Sequence, residues 1–517
     1  MKRNIFILLL LPLFLNACSD DGPVDYPELE EISINLDKEL YTGAIGDVLT
    51  IEPEVSGEIP ATDLSFYWEV GHGEGYGDHA AFTPVAEGRR LELKCELGPL
   101  FPAPGTYTLR VRAKQNSLGR DFYSRHFRLK ITGQTGLMAL YGADGLSDIA
   151  LIRDFTDRDG TVIADFYSRA NGGEKIPGTG RFLTQLQGGS VTFGNYHSVI
   201  AVTDLGNAGA NYLTMEAIPG GWNAMLFKGG FNRGIPENIV YASDDPMIDY
   251  QDVYIIDGGE IYGRQNSEFV LRPAIGTSEN AYINTYDLAP YVFPARESNY
   301  RVWLFDRKSR GFVGVTNPVA VFLNGAAHAG SVAKVFTPGG AFNPSRMRAE
   351  LEFMSGGGEP GHLLAVMKRD NGERFLADIN TIPADIAQTA EAVYPLDFSG
   401  AGEVLGYDFC PQFPSRACCY AYTSGNIYRL NAGGPESGGF PAPAEWPDGE
   451  ALGAGETITA IKTFVYEGVP LMAVGTWNGT EGMVRVYSVD PSDGAFGRLC
   501  SSAPLPGQIA AFCLKHI

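Results

Sequence analysis

The sequence lacks the short motifs that mark the common catalytic and nucleotide-binding sites. It contains no Gly-x-Ser-x-Gly elbow, no His-Glu-x-x-His zinc motif, no Walker loop and no dinucleotide-binding fingerprint. Its seven cysteines include no Cys-x-x-Cys pair of the kind that binds structural zinc. These absences exclude the recognisable members of those classes. An enzyme that relies on two carboxylates remains open, because 61 Asp and Glu residues give no basis for choosing one pair.

Positive charge is scarce in this chain. The 39 Lys and Arg residues face 61 Asp and Glu residues, which gives a net charge of −22 spread along the sequence. This balance argues against nucleic acid or anionic lipid head groups as partners and leaves cationic or neutral ones. Convincing amphipathic helices are also missing. The 64 Gly and 32 Pro residues, without a collagen-like period, and the 11% of aromatic residues instead indicate a turn-rich, all-β protein.

The N-terminus has the pattern of a bacterial lipoprotein signal. Two cations precede the apolar run Ile5–Leu15, which is too short to span a membrane. A leucine three places before Cys18 and the small residue Ala17 directly before it match a lipobox. We predict a signal peptide at 1–17 and lipid attachment at Cys18, which anchors the chain without spanning the bilayer. An ordinary secretory signal with a chance cysteine is the alternative.

The residues that follow Cys18 indicate the compartment. Ser19-Asp20-Asp21 resembles the export signal that sends lipoproteins of Bacteroidota to the outer leaflet of the outer membrane. Residues 18–28 are acidic, contain proline and lack apolar periodicity, so we predict an acylated tether there. We therefore expect a lipid-anchored outer-membrane protein that is exposed at the cell surface.

The mature chain is long enough for at least two domains, since 517 − 17 leaves 500 residues. Residues 29–133 contain about seven segments in which polar and apolar residues alternate, and Trp68 lies at the centre of one of them. This pattern predicts an immunoglobulin-like β-sandwich. Trp68, the turn and strand at Pro104–Val111 and the domain length together resemble a polycystic-kidney-disease (PKD)-like domain.

Residues 136–517 repeat one design, in which an apolar strand, a glycine-containing turn and a second strand follow each other. The design is clearest at Asp252–Tyr262, Cys419–Leu430 and Leu471–Val489. A spacing of roughly fifty to sixty residues over the 382 positions from 136 to 517 (517 − 135 = 382) predicts a β-propeller of six to eight blades, most simply seven. Two stacked sandwiches are the alternative.

The arrangement as a whole is similar to the PKD-like lipoprotein family of Bacteroidota. The lipobox, the PKD-like domain and the opening Gly136–Gly142, followed by Ser147-Asp148-Ile149, carry the resemblance. It covers essentially the full chain and rests on structural motifs. The resemblance implies an accessory lipoprotein of SusC/SusD-like importers, in which a TonB-dependent barrel and its lid lipoprotein capture oligosaccharides or peptides.

Six cysteines remain once Cys18 is assigned to the lipid, and an oxidising compartment permits them to pair. We predict one local bridge between Cys410 and either Cys418 or Cys419, and a second between Cys500 and Cys513. Adjacent strand residues point to opposite faces, so only one of the neighbours at 418 and 419 reaches its partner easily. Cys95 is then expected to be unpaired.

Two segments are candidate cation sites. The segment His72–His79 gathers two imidazoles and two carboxylates, but its glycines favour a flexible connection between strands. Asp154, Asp157 and Asp159 precede Gly160 and could bind calcium, although no glutamate stands at EF-hand spacing and Asp-Gly is typical of hairpin turns. We therefore expect no cofactor and no metal ligand, and we assign no catalytic residue.

Three tryptophans near predicted loops are candidate ligand contacts. Trp222, Trp446 and Trp477 each lie beside turn residues and could stack on a sugar ring or hold a peptide, whereas packing between blades is the other role for such side chains. We expect a non-catalytic binding or scaffold lipoprotein that serves a SusC/SusD-like importer of peptides or glycans. The rival hypothesis is a surface propeller hydrolase or lyase that cuts glycans before import.

Overall fold

The computed structural model describes most of the chain after the predicted tether. The described residues are 31–71, 81–156, 160–190, 194–220, 235–241, 253–263, 285–295, 300–316, 331–335, 340–357, 361–384, 387–410, 419–430, 442–447 and 451–515. The signal peptide, Cys18, the segment 72–79, Asp157, Asp159, Trp222 and Cys418 lie outside these residues. The chain divides into two compact units between Gly133 and Gln134.

The first unit is a β-sandwich. Its strands are β1 (Ile32–Asn35), β2 (Leu40–Ala44), β3 (Val48–Ile51), β4 (Glu54–Gly57), β5 (Leu64–Gly71), β6 (Phe82–Glu87), β7 (Leu91–Lys94), β8 (Gly105–Gln115), β9 (Asp121–Tyr123) and β10 (Phe127–Thr132). One sheet has the order β2-β10-β8-β5-β6, with β9 paired to β8, and β1-β4 and β3-β7 form two further antiparallel pairs. Strands β2 and β10 are parallel.

The sandwich core is built from alternating positions on all of these sheets. Trp68 and Leu109 on the larger sheet and Leu91 on β7 are fully buried in one cluster. The Trp68 Nε1 donates a hydrogen bond to the Gly88 carbonyl at 3.0 Å. Tyr107 donates to the Ala103 carbonyl at 2.5 Å, which is the arrangement of the tyrosine corner in immunoglobulin-like sandwiches. The predicted sandwich fold is confirmed.

The second unit consists almost entirely of strands. They are β11 (Gly136–Ala143), β12 (Leu146–Ile152), β13 (Val162–Ile163), β14 (Ile176–Pro177), β15 (Gly180–Ser190), β16 (Gly194–Thr203), β17 (Asn207–Asn211), β18 (Asn238–Tyr241), β19 (Val253–Asp257), β20 (Glu260–Gly263), β21 (Phe293–Pro294), β22 (Tyr300–Asp306), β23 (Gly311–Thr316), β24 (Val332–Lys334), β25 (Glu350–Gly356), β26 (His362–Lys368), β27 (Arg374–Ala384), β28 (Ala387–Leu396), β29 (Gly406–Phe409), β30 (Cys419–Tyr422), β31 (Ile427–Leu430), β32 (Ala442–Pro443), β33 (Thr457–Tyr466), β34 (Val469–Trp477), β35 (Gly482–Val489), β36 (Phe496–Leu505) and β37 (Gln508–Lys515).

These strands form seven antiparallel sheets within the described residues, and we number the sheets as blades. Blade 1 is β37-β11-β12 with β13 and β14, blade 2 is β15-β16-β17, blade 3 is β18-β19-β20, blade 4 is β21-β22-β23-β24, blade 5 is β25-β26-β27-β28, blade 6 is β29-β30-β31-β32, and blade 7 is β33-β34-β35-β36.

In the described part of the second unit, seven separate apolar cores lie between successive blades and establish a closed propeller. Six of these cores each join one blade to the next, from blades 1 and 2 through to blades 6 and 7. The seventh core joins blade 7 to blade 1. Burial of apolar surface between each pair of neighbours therefore stabilises the entire ring.

The ring closes through the C-terminal strand. Strand β37 pairs antiparallel with β11, from Gly136↔Lys515 to Gly142↔Gln508. The C-terminus of the chain thus supplies the first strand of blade 1, while the other strands of this blade come from the beginning of the unit. It also packs against the first strands of blades 2 and 7. The two ends of the propeller unit are thus held in one sheet.

The repeated strand pairs seen in the sequence occupy equivalent places in the blades. The pairs at Asp252–Tyr262, Cys419–Leu430 and Leu471–Val489 form the second and third strands of blades 3, 6 and 7. Their short turns have a physical basis: Gly258 and Gly259, for example, have φ of 60° and 76°, a backbone conformation that glycine adopts without steric cost.

One short helix, α1 (Phe166–Ala170), interrupts blade 1. The buried Asp148 carboxylate holds its first turn, because Oδ1 accepts from the Ser168 backbone N–H at 3.1 Å and Oδ2 accepts from the Ser168 hydroxyl at 2.5 Å. Within the described part of the chain, no helix has the length and apolar character needed to cross a membrane.

The predicted bridge between Cys500 and Cys513 is wrong. Both are free thiols, and burial raises the pKa of Cys500 and raises that of Cys513 to about 11. The physical reason is topological: Cys500 lies on the last strand of blade 7, whereas Cys513 lies on the first strand of blade 1. Cys95 is a buried thiol in the sandwich core, and burial raises its pKa to about 11. The bridge predicted for Cys410 stays a prediction.

Candidate functional site

The first strands of the blades lie next to one another, as β37 does with β15 and β33, and we call these first strands the inner strands. They are β37, β15, β18, β21, β25, β29 and β33. In propellers this central region is the usual place for a ligand or an active site, so the charged residues on these strands are the first candidates for function.

Glu352 on β25 is the centre of one polar cluster. It falls at a β-bulge, since the pairing with β26 shifts between Leu351 and Phe353, and a bulge redirects a side chain. Arg374 binds the carboxylate through two hydrogen bonds, Nε to Oε2 at 2.7 Å and a terminal nitrogen to Oε1 at 3.0 Å. Tyr407 donates to Oε2 at 2.6 Å. Arg374 and Tyr407 thus bind the Glu352 carboxylate through charge-assisted hydrogen bonds, which are stronger than neutral ones.

This cluster changes the acidity of its neighbours in the expected directions. The hydrogen bond to Glu352 raises the pKa of Arg374 further above its ordinary value. Burial raises the pKa of the Tyr407 phenol, and the hydrogen bond to the same carboxylate adds to this effect. Both groups therefore hold their protons at neutral pH and act as fixed donors.

Asp408 on β29 forms the second cluster and joins blade 6 to blade 7. Its carboxylate accepts from the Lys462 ammonium at 2.8 Å and from the Thr463 backbone N–H at 2.5 Å, and the Thr463 hydroxyl also donates to it. Desolvation by the surrounding protein disfavours the Lys462 ammonium, but the charge of Asp408 outweighs it, so the pKa of Lys462 lies above its ordinary value. The pair is a structural link between two inner strands.

A cation faces each carboxylate on the described inner strands. These strands carry three acidic residues, Glu350, Glu352 and Asp408, whose partners are Arg310 at 3.7 Å, Arg374 at 2.7 Å and Lys462 at 2.8 Å. A glycosidase needs two carboxyl groups of which one keeps its proton near neutral pH and the other is available to water or to the sugar. Within the described inner strands, the carboxylates are arranged as ion pairs rather than as such an acid–base pair.

A cavity between blades 1 and 2 offers a different kind of surface. It has a volume of about 300 Å³, and the side chains of Tyr167, Ile176, Asn207 and Ile218 are among those that line it. Leu205, also part of the lining, is 71% exposed. None of its described lining residues is charged, so the cavity suits a small neutral group better than acid–base chemistry.

Two of the three candidate tryptophans are described. The Trp446 ring packs against Tyr487 and Phe496 at centroid distances of 5.6 and 5.3 Å and belongs to the core between blades 6 and 7. Trp477 ends β34 and is half-buried, and its carbonyl accepts a hydrogen bond from the Thr457 hydroxyl at 3.1 Å. A ligand contact for either residue stays a prediction, as it does for Trp222 outside the described residues.

One group of described side chains has the composition and spacing to hold a metal ion. His362, Asp378 and Glu391, on three successive strands of blade 5, place one ligand atom each within 4.8 Å of the others. The sequence did not predict this group, because the three residues are far apart along the chain and follow no ligand motif. Of the predicted calcium ligands only Asp154 is described; it has φ of 52° in the turn after β12.

The fold and these clusters define a two-unit all-β protein, an immunoglobulin-like sandwich followed by a propeller whose described residues form seven blades. No protein-family model and no curated protein sequence match the chain. It is similar to a solved DUF4784 family protein from Bacteroides caccae, with 9% identity, coverage of 93% of this chain and 98% of that one, and a TM-score of 0.26.

Two further solved structures are similar at the same low level. A putative 6-phosphogluconolactonase from Bacteroides uniformis has 11% identity and a TM-score of 0.37, over 74% of this chain and 100% of that one. The periplasmic gluconolactonase PpgL of Pseudomonas aeruginosa has 10% identity and a TM-score of 0.26, over 88% of this chain and 99% of that one.

Proposed function

We propose that this protein is a surface-exposed outer-membrane lipoprotein that serves as a non-catalytic binding or scaffold subunit of a SusC/SusD-like, TonB-dependent importer of peptides or glycans. The lipobox that ends at Cys18 and the acidic Ser19-Asp20-Asp21 support the location. Acyl chains at Cys18 would hold the folded units beside the importer, and this proximity raises the effective ligand concentration without requiring high intrinsic affinity.

The pairing of the inner-strand carboxylates carries the non-catalytic part of the proposal. Glu352 is held by Arg374 and Tyr407, and Asp408 is held by Lys462 and Thr463, so each of these acids already has a stabilising partner. A carboxylate whose oxygens already accept hydrogen bonds from protein groups has less capacity to contact a sugar or an attacking water. The uncharged cavity between blades 1 and 2 and the net charge of −22 agree with a neutral ligand or a protein partner.

A membrane pull-down tests the proposal. The full-length, acylated protein with a C-terminal tag is extracted from its native membrane in mild detergent, and partners are quantified by mass spectrometry. We expect a TonB-dependent barrel and a SusD-like lid in stoichiometric amounts. The matched control is Cys18→Ser, which cannot be acylated in the normal way and should lose these partners. Recovery of the acylated protein alone would contradict the importer role.

The rival hydrolase or lyase hypothesis makes a different prediction. If the protein cut glycans, the wild-type protein would release new reducing ends from surface polysaccharides. We expect no such release in a reducing-end assay. Release by the wild-type protein would establish the enzyme and replace the binding proposal.

A further inference from the structure

We propose that His362, Asp378 and Glu391 form a binding site for a divalent transition metal ion in blade 5. The three ligand atoms lie within 4.8 Å of one another, and the His362 Nδ1 is 3.1 Å from the Asp378 Oδ1 and 3.9 Å from the Glu391 Oε2. The inference is independent of the proposed function, since it rests only on the geometry of one blade.

Strand pairing explains how the first two residues meet. His362 is the first residue of β26 and pairs with Asn380 on β27, while Asp378 pairs with Leu364. Asp378 is therefore the diagonal neighbour of His362 on the same face of the sheet, a separation that an imidazole and a carboxylate can bridge. Leu364 lies on that face too and belongs to the core between blades 5 and 6.

A β-bulge brings in the third residue. On β28, Ala392 pairs with Asp378 and Ala390 pairs with Ile379, so the register shifts at Glu391, which is the extra residue of a bulge. In a regular strand, the Glu391 side chain would point to the face of the sheet opposite to that of its neighbour Ala392. The bulge redirects it, and its carboxylate reaches to within 3.9 Å of the imidazole. Bulges of this kind are common next to functional sites.

The distances suit metal coordination. Ligand atoms about 2.1 Å from a shared ion are about 3.0 to 3.4 Å apart at octahedral or tetrahedral angles. The separation of 3.1 Å between imidazole and Asp378 already lies in this range, and the separation of 3.9 Å to Glu391 needs a small side-chain adjustment. One imidazole with two carboxylates is a donor set that suits divalent ions such as Zn²⁺ or Mn²⁺.

Charge and access support the same assignment. Asp378 is fully buried and the His362 side chain is 9% exposed, whereas the Glu391 side chain is 34% exposed. The site brings two carboxyl groups next to one imidazole in a mostly buried place, and a divalent ion would compensate the charge that such a group of ligands gathers. Glu391 lies on the outermost strand of the blade, which gives an ion a route from solvent. Three protein ligands would leave further coordination positions for water or a ligand.

Calorimetric titration tests the site on the full-length acylated protein in detergent, after treatment with EDTA and removal of the chelator. Zn²⁺ alone is the probe, and elemental analysis after dialysis gives the stoichiometry. We expect one ion per chain at the site, and Glu391→Gln should weaken its binding by at least tenfold because the amide carries no charge. His362→Gln should do the same.

The matched control is Glu403→Gln, an exposed carboxylate in the connection between blades 5 and 6, which should leave Zn²⁺ binding unchanged. Circular dichroism melting curves of all variants establish that they are folded, and the exposed position of Glu391 makes its variant the primary measurement. Absence of Zn²⁺ binding would overturn the proposal and leave a hydrogen-bonded His362–Asp378 pair. Binding that survives Glu391→Gln unchanged would also overturn it, because the ion would then occupy another site, such as the segment His72–His79.

Discussion

Lys515 shows how the propeller tolerates a charged group in its interior. The side chain is fully buried at the end of β37, and its ammonium donates to the Gln134 carbonyl at 2.6 Å and lies 5.5 Å from the Tyr212 ring centroid. No described carboxylate forms an ion pair with it, and burial lowers its pKa from 10.5 to about 8. The buried charge therefore costs stability at neutral pH.

This pKa shift gives the stability a pH dependence of known sign. Below pH 8 the lysine is protonated in both the folded and the unfolded chain, and the folded state bears the cost of the buried charge. Between pH 8 and 10.5 only the unfolded chain keeps the proton, so the contribution of Lys515 to stability rises with pH by up to about 3 kcal/mol.

The variant Lys515→Met isolates this contribution. Its unfolding free energy relative to wild type should fall by up to about 3 kcal/mol as the pH rises from 7 to 10.5, because only the wild type gains stability in that window. Any constant effect of losing the Gln134 hydrogen bond cancels in this comparison. Denaturant melts of the propeller transition measure it, with the exposed Lys175→Met as control. A difference that does not change with pH would refute the buried-charge explanation.

At the scale of residues, sequence patterns identified little of the polar chemistry. The partners Asp408 and Lys462 are 54 positions apart, and Glu391 reaches His362 only because of a bulge. Such contacts depend on strand register and blade packing, which no local spacing encodes. The tryptophans illustrate the same point. A position beside a turn does not show whether a tryptophan ring is exposed, and the Trp446 ring packs against a core.

At the scale of elements, the sequence was more informative. Alternating residues and glycine turns located the second and third strands of several blades, as in Leu471–Val489, which forms β34 and β35. The inner strands were harder to predict: β18 and β21 have four and two residues. In the sandwich, the alternating pattern does not show where β9 ends and β10 begins, although the two strands pair with different parts of β8.

The C-terminal strand is the element on which ring closure depends. Ile509 and Phe512 on β37 belong to the core between blades 7 and 1, while Ala510, Ala511 and Cys513 pack on the core between blades 1 and 2. Ending the chain after Gly507 should therefore abolish the cooperative melting transition of the propeller, because β11 loses one of its two neighbouring strands and both cores lose the side chains of β37. Differential scanning calorimetry measures this loss.

Two comparisons make the truncation decisive. Removal of residues 516–517 alone leaves β37 complete and should preserve the transition. A synthetic peptide of residues 508–515, added to the truncated protein, should restore part of it by pairing with β11, since strand addition to a sheet edge supplies the missing backbone hydrogen bonds. A truncated protein that melts like the wild type would show that closure does not need this strand.

At the scale of the whole molecule, the repeat period predicted the blade number correctly, because each blade must bury both faces against its neighbours and so requires a unit of similar length. The chain length indicated more than one domain for a related reason, since 500 residues exceed what one core holds. The described cores agree: one lies within the sandwich and seven lie within the propeller.

Separate cores predict separate unfolding transitions, and matched core variants assign them. Leu129 in the sandwich and Leu471 in the propeller are both fully buried, so substitution by alanine should cost about 2 to 5 kcal/mol in either unit. The effect on melting temperature should differ, because the same free energy is divided by an unfolding entropy that grows with size. Leu129→Ala should lower the sandwich transition by roughly 8 °C or more, and Leu471→Ala should lower only the propeller transition, by fewer degrees per kcal/mol. Scanning calorimetry of both variants measures the shifts, and a single transition that moves equally in each would mean that the two units unfold as one cooperative body.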